Sequence, residues 1–119
     1  MNRTEIETAL TDLNQLVTSG RLLEAFEKYY HHDVVMQENE LSPTVSKELN
    51  REREIEFKRN ITELRKAEVR GMGSGKDISF VIWEFDYTHK EWGVKNYTQV
   101  SVQYWKDGQI IREKFFYNN

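Results

Sequence analysis

Apolar residues recur at helical spacing near the start of the chain and alternate with polar residues over its second half. Over residues 4–18, Ile6, Ala9, Leu10, Leu13, Leu16 and Val17 fall on one face of a helix, with Thr4 as the expected N-cap and Glu7 as its carboxylate partner. Ser19-Gly20 ends that helix, since glycine readily takes the left-handed conformation of a helix terminus. Leu22, Leu23, Phe26, Tyr29 and Tyr30 form the apolar side of a second, shorter helix, and Val34-Val35-Met36 reads as a short strand. A polar loop around Pro43 follows. Residues 46–60 have helical propensity but weak periodicity, with Leu49, Ile55 and Phe57 outnumbered by charged neighbours. The plain reading is an exposed, ion-paired helix covering one edge of the fold.

From Ile61 onward the period changes to that of strands. Residues 61–72, 77–88, 96–106 and 109–117 form four runs, separated by Gly73-Ser74-Gly75, by His89 to Gly93, and by Asp107-Gly108. Connections this short make successive antiparallel hairpins, and Asp-Gly suits a two-residue turn in which both residues need positive φ. The element order predicts one α+β domain over residues 1–119, with three N-terminal helices packed on the concave face of a curved antiparallel sheet.

Composition narrows the partners. Hydrophobic residues make up 38% and charged residues 31% of 119, with both signs interspersed and a formal net charge of −3. No basic face is evident, which argues against nucleic acid. The absence of cysteine excludes disulfides, thiolate metal ligands and a cysteine nucleophile. The opening MNRTEIETAL is polar and periodic, unlike a signal segment, and no apolar run approaches the roughly 20 residues of a membrane span. A cytoplasmic protein away from membranes is the expectation. Six Phe, six Tyr and three Trp are many rings for so polar a chain, and they either fill a small core or line a cavity.

Strand parity separates the faces. Val81, Trp83, Phe85 and Tyr87 share one face of their strand, and Val100, Val102 and Tyr104 share one face of the next. Joining the apolar faces predicts that these residues lie under the helices, with Glu84, Asp86, Gln99, Ser101 and Gln103 on the convex side. In the last strand Ile111, Glu113, Phe115 and Tyr117 make the better inward face. Glu113 is therefore a candidate catalytic acid or base, since a carboxyl among rings has a raised pKa. The competing reading is an ion pair with Arg65, Arg70 or Arg112, or a side chain turned to solvent at a bulge. Trp83, Tyr87, Tyr104, Phe115 and Tyr117 are the candidate ligand-binding side chains, the tyrosines foremost because buried hydroxyls need partners. His31 and His32 ahead of Asp33 suit a helix C-terminus better than a metal site, because neighbours on a helix point about 100° apart. No metal or cofactor is expected.

The order of elements, WEFDYT at residues 83–88, and YWKDGQIIREKFFY at residues 104–117 together resemble the SnoaL-like branch of the nuclear-transport-factor-2-like superfamily. The most specific part is the closing W-x-D-G-x-I-x-x-E-x-F-x-Y pattern, met by Trp105, Asp107, Gly108, Ile110, Glu113, Phe115 and Tyr117. The resemblance implies a cone with a pocket at its wide end and a homodimer formed through the convex sheet face. The superfamily includes ketosteroid isomerases, polyketide cyclases, epoxide hydrolases and dehydratases, so fold does not choose the reaction. In the isomerases the general base lies just past the first strand, which here makes Glu38 the second catalytic candidate; the competing reading is a polar loop rim. The isomerase's two oxyanion donors would fall on Leu13 and on Val100 or Val102, which supply none, and this argues against ketosteroid isomerisation. Two functions follow. One is cofactor-independent acid–base chemistry (isomerase, cyclase or hydratase-like) on a small, flat, apolar ligand; the other is a non-catalytic ligand-binding or dimeric assembly module.

Overall fold

The computed structural model describes residues 1–118; Asn119, the last residue of the expected domain, lies outside them. Asn2, not Thr4, opens the first helix. Its side chain accepts the Glu5 amide at 2.9 Å, and Glu5 Oε1 accepts the Asn2 amide at 3.1 Å, a complete capping box. Helix α1 (Arg3–Thr18) buries Ile6, Leu10, Leu13 and Leu16, and α2 (Leu22–Tyr29) buries Ala25, Phe26 and Tyr29. Tyr30 does not continue α2. The backbone turns extended there, ahead of a run of weak helix formers, and strand β1 spans Tyr30–Glu38, well beyond the expected Val34–Met36. His31 and His32 are thus strand residues.

After β2 (Thr44–Val45) and α3 (Lys47–Arg59) come the four long strands β3 (Ile61–Gly75), β4 (Ile78–His89), β5 (Gly93–Lys106) and β6 (Gln109–Tyr117). The β3–β4 turn is Lys76-Asp77, with Asp77 at φ 59°, while Gly73-Ser74-Gly75 belongs to the strand. Gly73 is there for space: a Cβ would stand 2.5 Å from the Phe80 ring. Asp107 and Gly108 take φ of 50° and 85°, as their hairpin turn requires.

The sheet order is β2-β1-β6-β5-β4-β3. β6 pairs antiparallel with β5 and parallel with β1, which sets Met36 beside Glu113 and Glu38 beside Phe115. Ile6, Leu10, Phe26, Val34, Val81, Trp105 and Ile110 form the core between α1, α2 and the sheet. That core closes the narrow end of the concave side and leaves the other end open beneath α3.

The parity of β5 is the reverse of the expectation. Trp83 stands opposite Gln99, Val81 opposite Ser101 and Ser79 opposite Gln103, and cross-strand partners share a face. Gln99, Ser101 and Gln103 therefore face the concave side. Val100, Val102 and Tyr104 face the convex side with Ile82, Phe80 and Ile78. Glu84 and Asp86 are convex as expected and are held there by Lys66, Arg70 and Arg65. In β6, Glu113, Phe115 and Tyr117 point inward, but Ile110 replaces Ile111 in the core, because the register shifts beside Tyr104 and Trp105.

Candidate functional site

The concave face and α3 enclose an open-mouthed cavity of about 1240 Å³. Its floor is polar. Glu113 is 2% exposed and sits among side chains that fix each other's orientation. Trp105 Nε1, which can only donate, gives its proton to Ser79 Oγ at 2.8 Å. Ser79 must then donate onward, to Gln103 Oε1 at 2.7 Å. With its oxygen committed, Gln103 presents Nε2 to Glu113 Oε2 at 2.9 Å. The hydroxyl of Tyr30 donates to the other oxygen, Oε1. Burial raises the Glu113 pKa to about 7, against the lowering effect of those two donors. Tyr30, deprived of solvent and facing that carboxyl, has its own pKa pushed well up and stays a donor.

Above the floor the wall is aromatic. Trp83 stacks on Phe85 at 5.3 Å between centroids, Phe85 meets Tyr97 at 5.9 Å, and Tyr97 stacks on Tyr117 at 5.3 Å. The Tyr87 and Tyr97 hydroxyls are 2.7 Å apart, and Phe57 of α3 packs edge-on against Tyr87. At the mouth Glu38 accepts from Tyr117 Oη at 3.1 Å and from Arg53 at 2.9 Å. Burial and the Glu38 charge push the Tyr117 pKa up to about 12, so it too remains a donor.

Of the residues singled out from the sequence, Glu113, Glu38, Trp83, Tyr87, Phe115 and Tyr117 all line this cavity. Tyr104 does not. It lies on the convex face under the Arg112 guanidinium, because β5 presents its glutamines and serine inward. None of Arg65, Arg70 and Arg112 pairs with Glu113; its partners are Tyr30 and Gln103. His31, His32 and Asp33 bring ligand atoms within 4.8 Å of one another on an accessible stretch of β1, outside the cavity. His89 is buried against Trp92 and accepts the Glu91 and Trp92 amides, so it serves the β4–β5 turn.

Tyr30 and Gln103, which the sequence puts on the apolar side of a helix and on the convex face, join Ser79, Tyr97 and Glu54, which it does not single out, in forming the site. Glu54 is partly buried on the underside of α3, in a stripe with Asn50 and Phe57, and it lines the cavity. Burial, then the charges of Glu113 and Glu38, raise its pKa to about 7. The stripe spacing of 50, 54 and 57 was the available signal, masked by the charged residues between.

An α+β cone with an open concave cavity is the class that this fold and site define. The chain belongs to the SnoaL-like domain family, whose model matches residues 3–117. No curated protein matches it in sequence. Among solved structures, a Mesorhizobium loti protein assigned provisionally as a SnoaL-like polyketide cyclase, and also as a carbohydrate phosphatase, shares 26% identity at TM-score 0.84, over 94% of this chain and 98% of that one. An epoxide hydrolase of Mycobacterium tuberculosis, described as LEH-like, superposes at TM-score 0.78 with 9% identity, over 98% and 84% of the two chains. A Catenulispora acidiphila protein of ketosteroid-isomerase-like fold, solved with trimethylamine, does so at 0.74 with 10% identity, over 92% and 85%. At such identities the last two show the fold alone.

Proposed function

We propose that the cavity binds a small ligand with a flat apolar body and performs cofactor-independent acid–base chemistry on it, of isomerase, cyclase or hydratase type. Glu113 is the proton-transfer group. The observation that carries this reading is the oriented, buried carboxyl at the cavity floor, poised to hold or release a proton near neutral pH. Tyr30 and Gln103 hold it at fixed orientation, and the aromatic wall supplies the surface on which a ring system lies. Tyr117, Glu38 and Arg53 form a polar rim that aligns the ligand's outer end. Of the two provisional assignments of the Mesorhizobium loti protein, polyketide cyclase and carbohydrate phosphatase, the first supports a cyclase-type reaction.

A thermal-shift screen with flat polycyclic, terpenoid and aromatic-ketone compounds tests the binding. A ligand at a hundredfold excess over its Kd stabilises the native state by about 2.7 kcal/mol, several degrees for a domain of this size. Turnover of a hit lost in Glu113→Gln, with binding kept, is the expected result. Undiminished turnover in that variant overturns the assignment; binding without any turnover favours the non-catalytic module instead.

We also propose a homodimer through the convex face, on residues other than the polar set first considered. Ile78, Phe80, Tyr104 and Phe116 are each more than a third exposed there, beside Val100 and Val102. Arg112 and Lys114 ride over Tyr104 and Phe116 as a charged margin. An apolar stripe with a polar rim is the anatomy of a protein interface.

A further inference from the structure

Resting on the reading that the cavity is a ligand site, we infer that its ligand carries a protonated amine, received by Glu54 against the aromatic wall. The argument starts from charge. Glu54 faces the cavity from α3 and, among the described residues, accepts no hydrogen bond. Glu113 faces it from β6 and Glu38 from β1, and both raise its proton affinity; Arg53 alone acts in the opposite sense. Arg53 is already occupied by Glu38 at 2.9 Å and Thr44 at 2.7 Å. The other cations of α3 are turned away: Arg51 to Glu27, Arg59 to Glu56, and Lys47 and Lys58 to the backbone carbonyls of Glu27 and Gly20. Those of β3 lie on the convex side with Glu84 and Asp86. Lys95 stands at the rim opposite Tyr87 and does not act on Glu54. From β1, β4, β5 and β6 the remaining titratable groups that line the space are Tyr30, Tyr87, Tyr97 and Tyr117, whose hydroxyls stay protonated, and His89, whose Nδ1 is taken up by the Glu91 and Trp92 amides in the β4–β5 turn.

The interior thus holds carboxyls in excess of cations, and the same cavity is lined by a run of rings from Trp83 to Tyr117, which α3 meets where Phe57 packs on Tyr87. Ring faces attract a desolvated cation, Trp most strongly. A carboxyl without a counter-ion in a cavity resists ionising, and a bound ammonium supplies that counter-ion. The two features are independent and select the same ligand class: an aromatic or alicyclic body with an ammonium group. An anionic ligand would meet Glu113, Glu54 and Glu38 together.

The test uses 2-phenylethylamine and its neutral counterpart 2-phenylethanol, titrated by NMR into the wild-type protein. The amine is expected to bind at least about tenfold tighter than the alcohol. Its affinity should rise by about 30-fold between about pH 5.5 and about 8.5, as a carboxyl titrating near neutrality ionises, while that of the alcohol stays flat. Glu54→Gln, a partly buried change that leaves the core intact, should remove the preference for the amine; its amide spectrum checks the fold. Equal affinities for amine and alcohol, or an unchanged preference in Glu54→Gln, overturn the inference but leave the ligand site standing. Binding of neither probe overturns it as well, and the wider thermal-shift panel then decides the ligand site separately.

Discussion

Glu113 binds its proton more tightly in the folded chain than an unfolded one would, with a pKa of about 7 against an ordinary 4.5. The stability conferred by that proton is fully present below the unfolded value and is lost as pH rises through the folded one. For a carboxyl this buried the loss is on the order of 3 kcal/mol. The midpoint of thermal unfolding should therefore fall between about pH 4.5 and about 7, with Glu54 contributing in the same sense, and level off above that. Glu113→Gln should flatten much of that slope in scanning calorimetry; a variant retaining the whole slope would show that the carboxyl is not buried as described. Ser79 tests the network from the other end. Ser79→Ala leaves the Trp105 indole and the Gln103 carbonyl without partners and should cost about 1–3 kcal/mol in urea denaturation. It also frees the Gln103 amide to turn over, so the Glu113 carboxyl signal should titrate at higher pH.

Helix α3 begins under strain. Its N-cap Ser46 has φ 89° and ψ 148°, a region open almost only to glycine, while its hydroxyl accepts the Leu49 amide at 3.3 Å and its amide donates to Val34 at 3.0 Å. Ser46→Gly relieves the backbone and loses little as a cap, so it should stabilise the fold by about 1 kcal/mol, whereas Ser46→Ala keeps the strain, loses the cap and should destabilise by a similar amount. Chemical denaturation of the pair, both variants moving the same way, would refute this account. At this scale the sequence spoke unevenly. The order of elements and the Asp107-Gly108 turn were legible because period and turn chemistry are local properties. Alternation alone gives the wrong inward face for β5, because it sends the apolar positions Val100, Val102 and Tyr104 to the interior. The concave face here lines a cavity, and there polar groups belong inside. The signal that would have corrected it is register: Trp83 and Gln99 lie equidistant from Glu91, the centre of their hairpin turn, and so must share a face. Glu38 and Tyr117 were found, but their bond to each other was not, since parallel pairing of β1 with β6 leaves no local mark.

For the whole molecule, Val102→Glu puts a charge at the centre of the convex stripe and away from the cavity. If that face joins two copies, the variant should sediment as a monomer while binding cavity ligands as the wild type does; a wild type that is itself monomeric at high concentration would remove the dimer. Among the described residues no helix is long and apolar enough to cross a membrane. The parallel seam between β1 and β6 has a consequence in time. Tyr30 pairs with Ile110 and Glu38 with Phe115, so strands separated by most of the chain must find each other. Contacts so distant in sequence close slowly. On the ribosome, β1 has no neighbour on that side until β6 has been made, and the floor of the cavity, which needs Tyr30 from one strand and Glu113 from the other, cannot assemble before then. A nascent chain therefore has its helices and most of its sheet before its cavity has a floor.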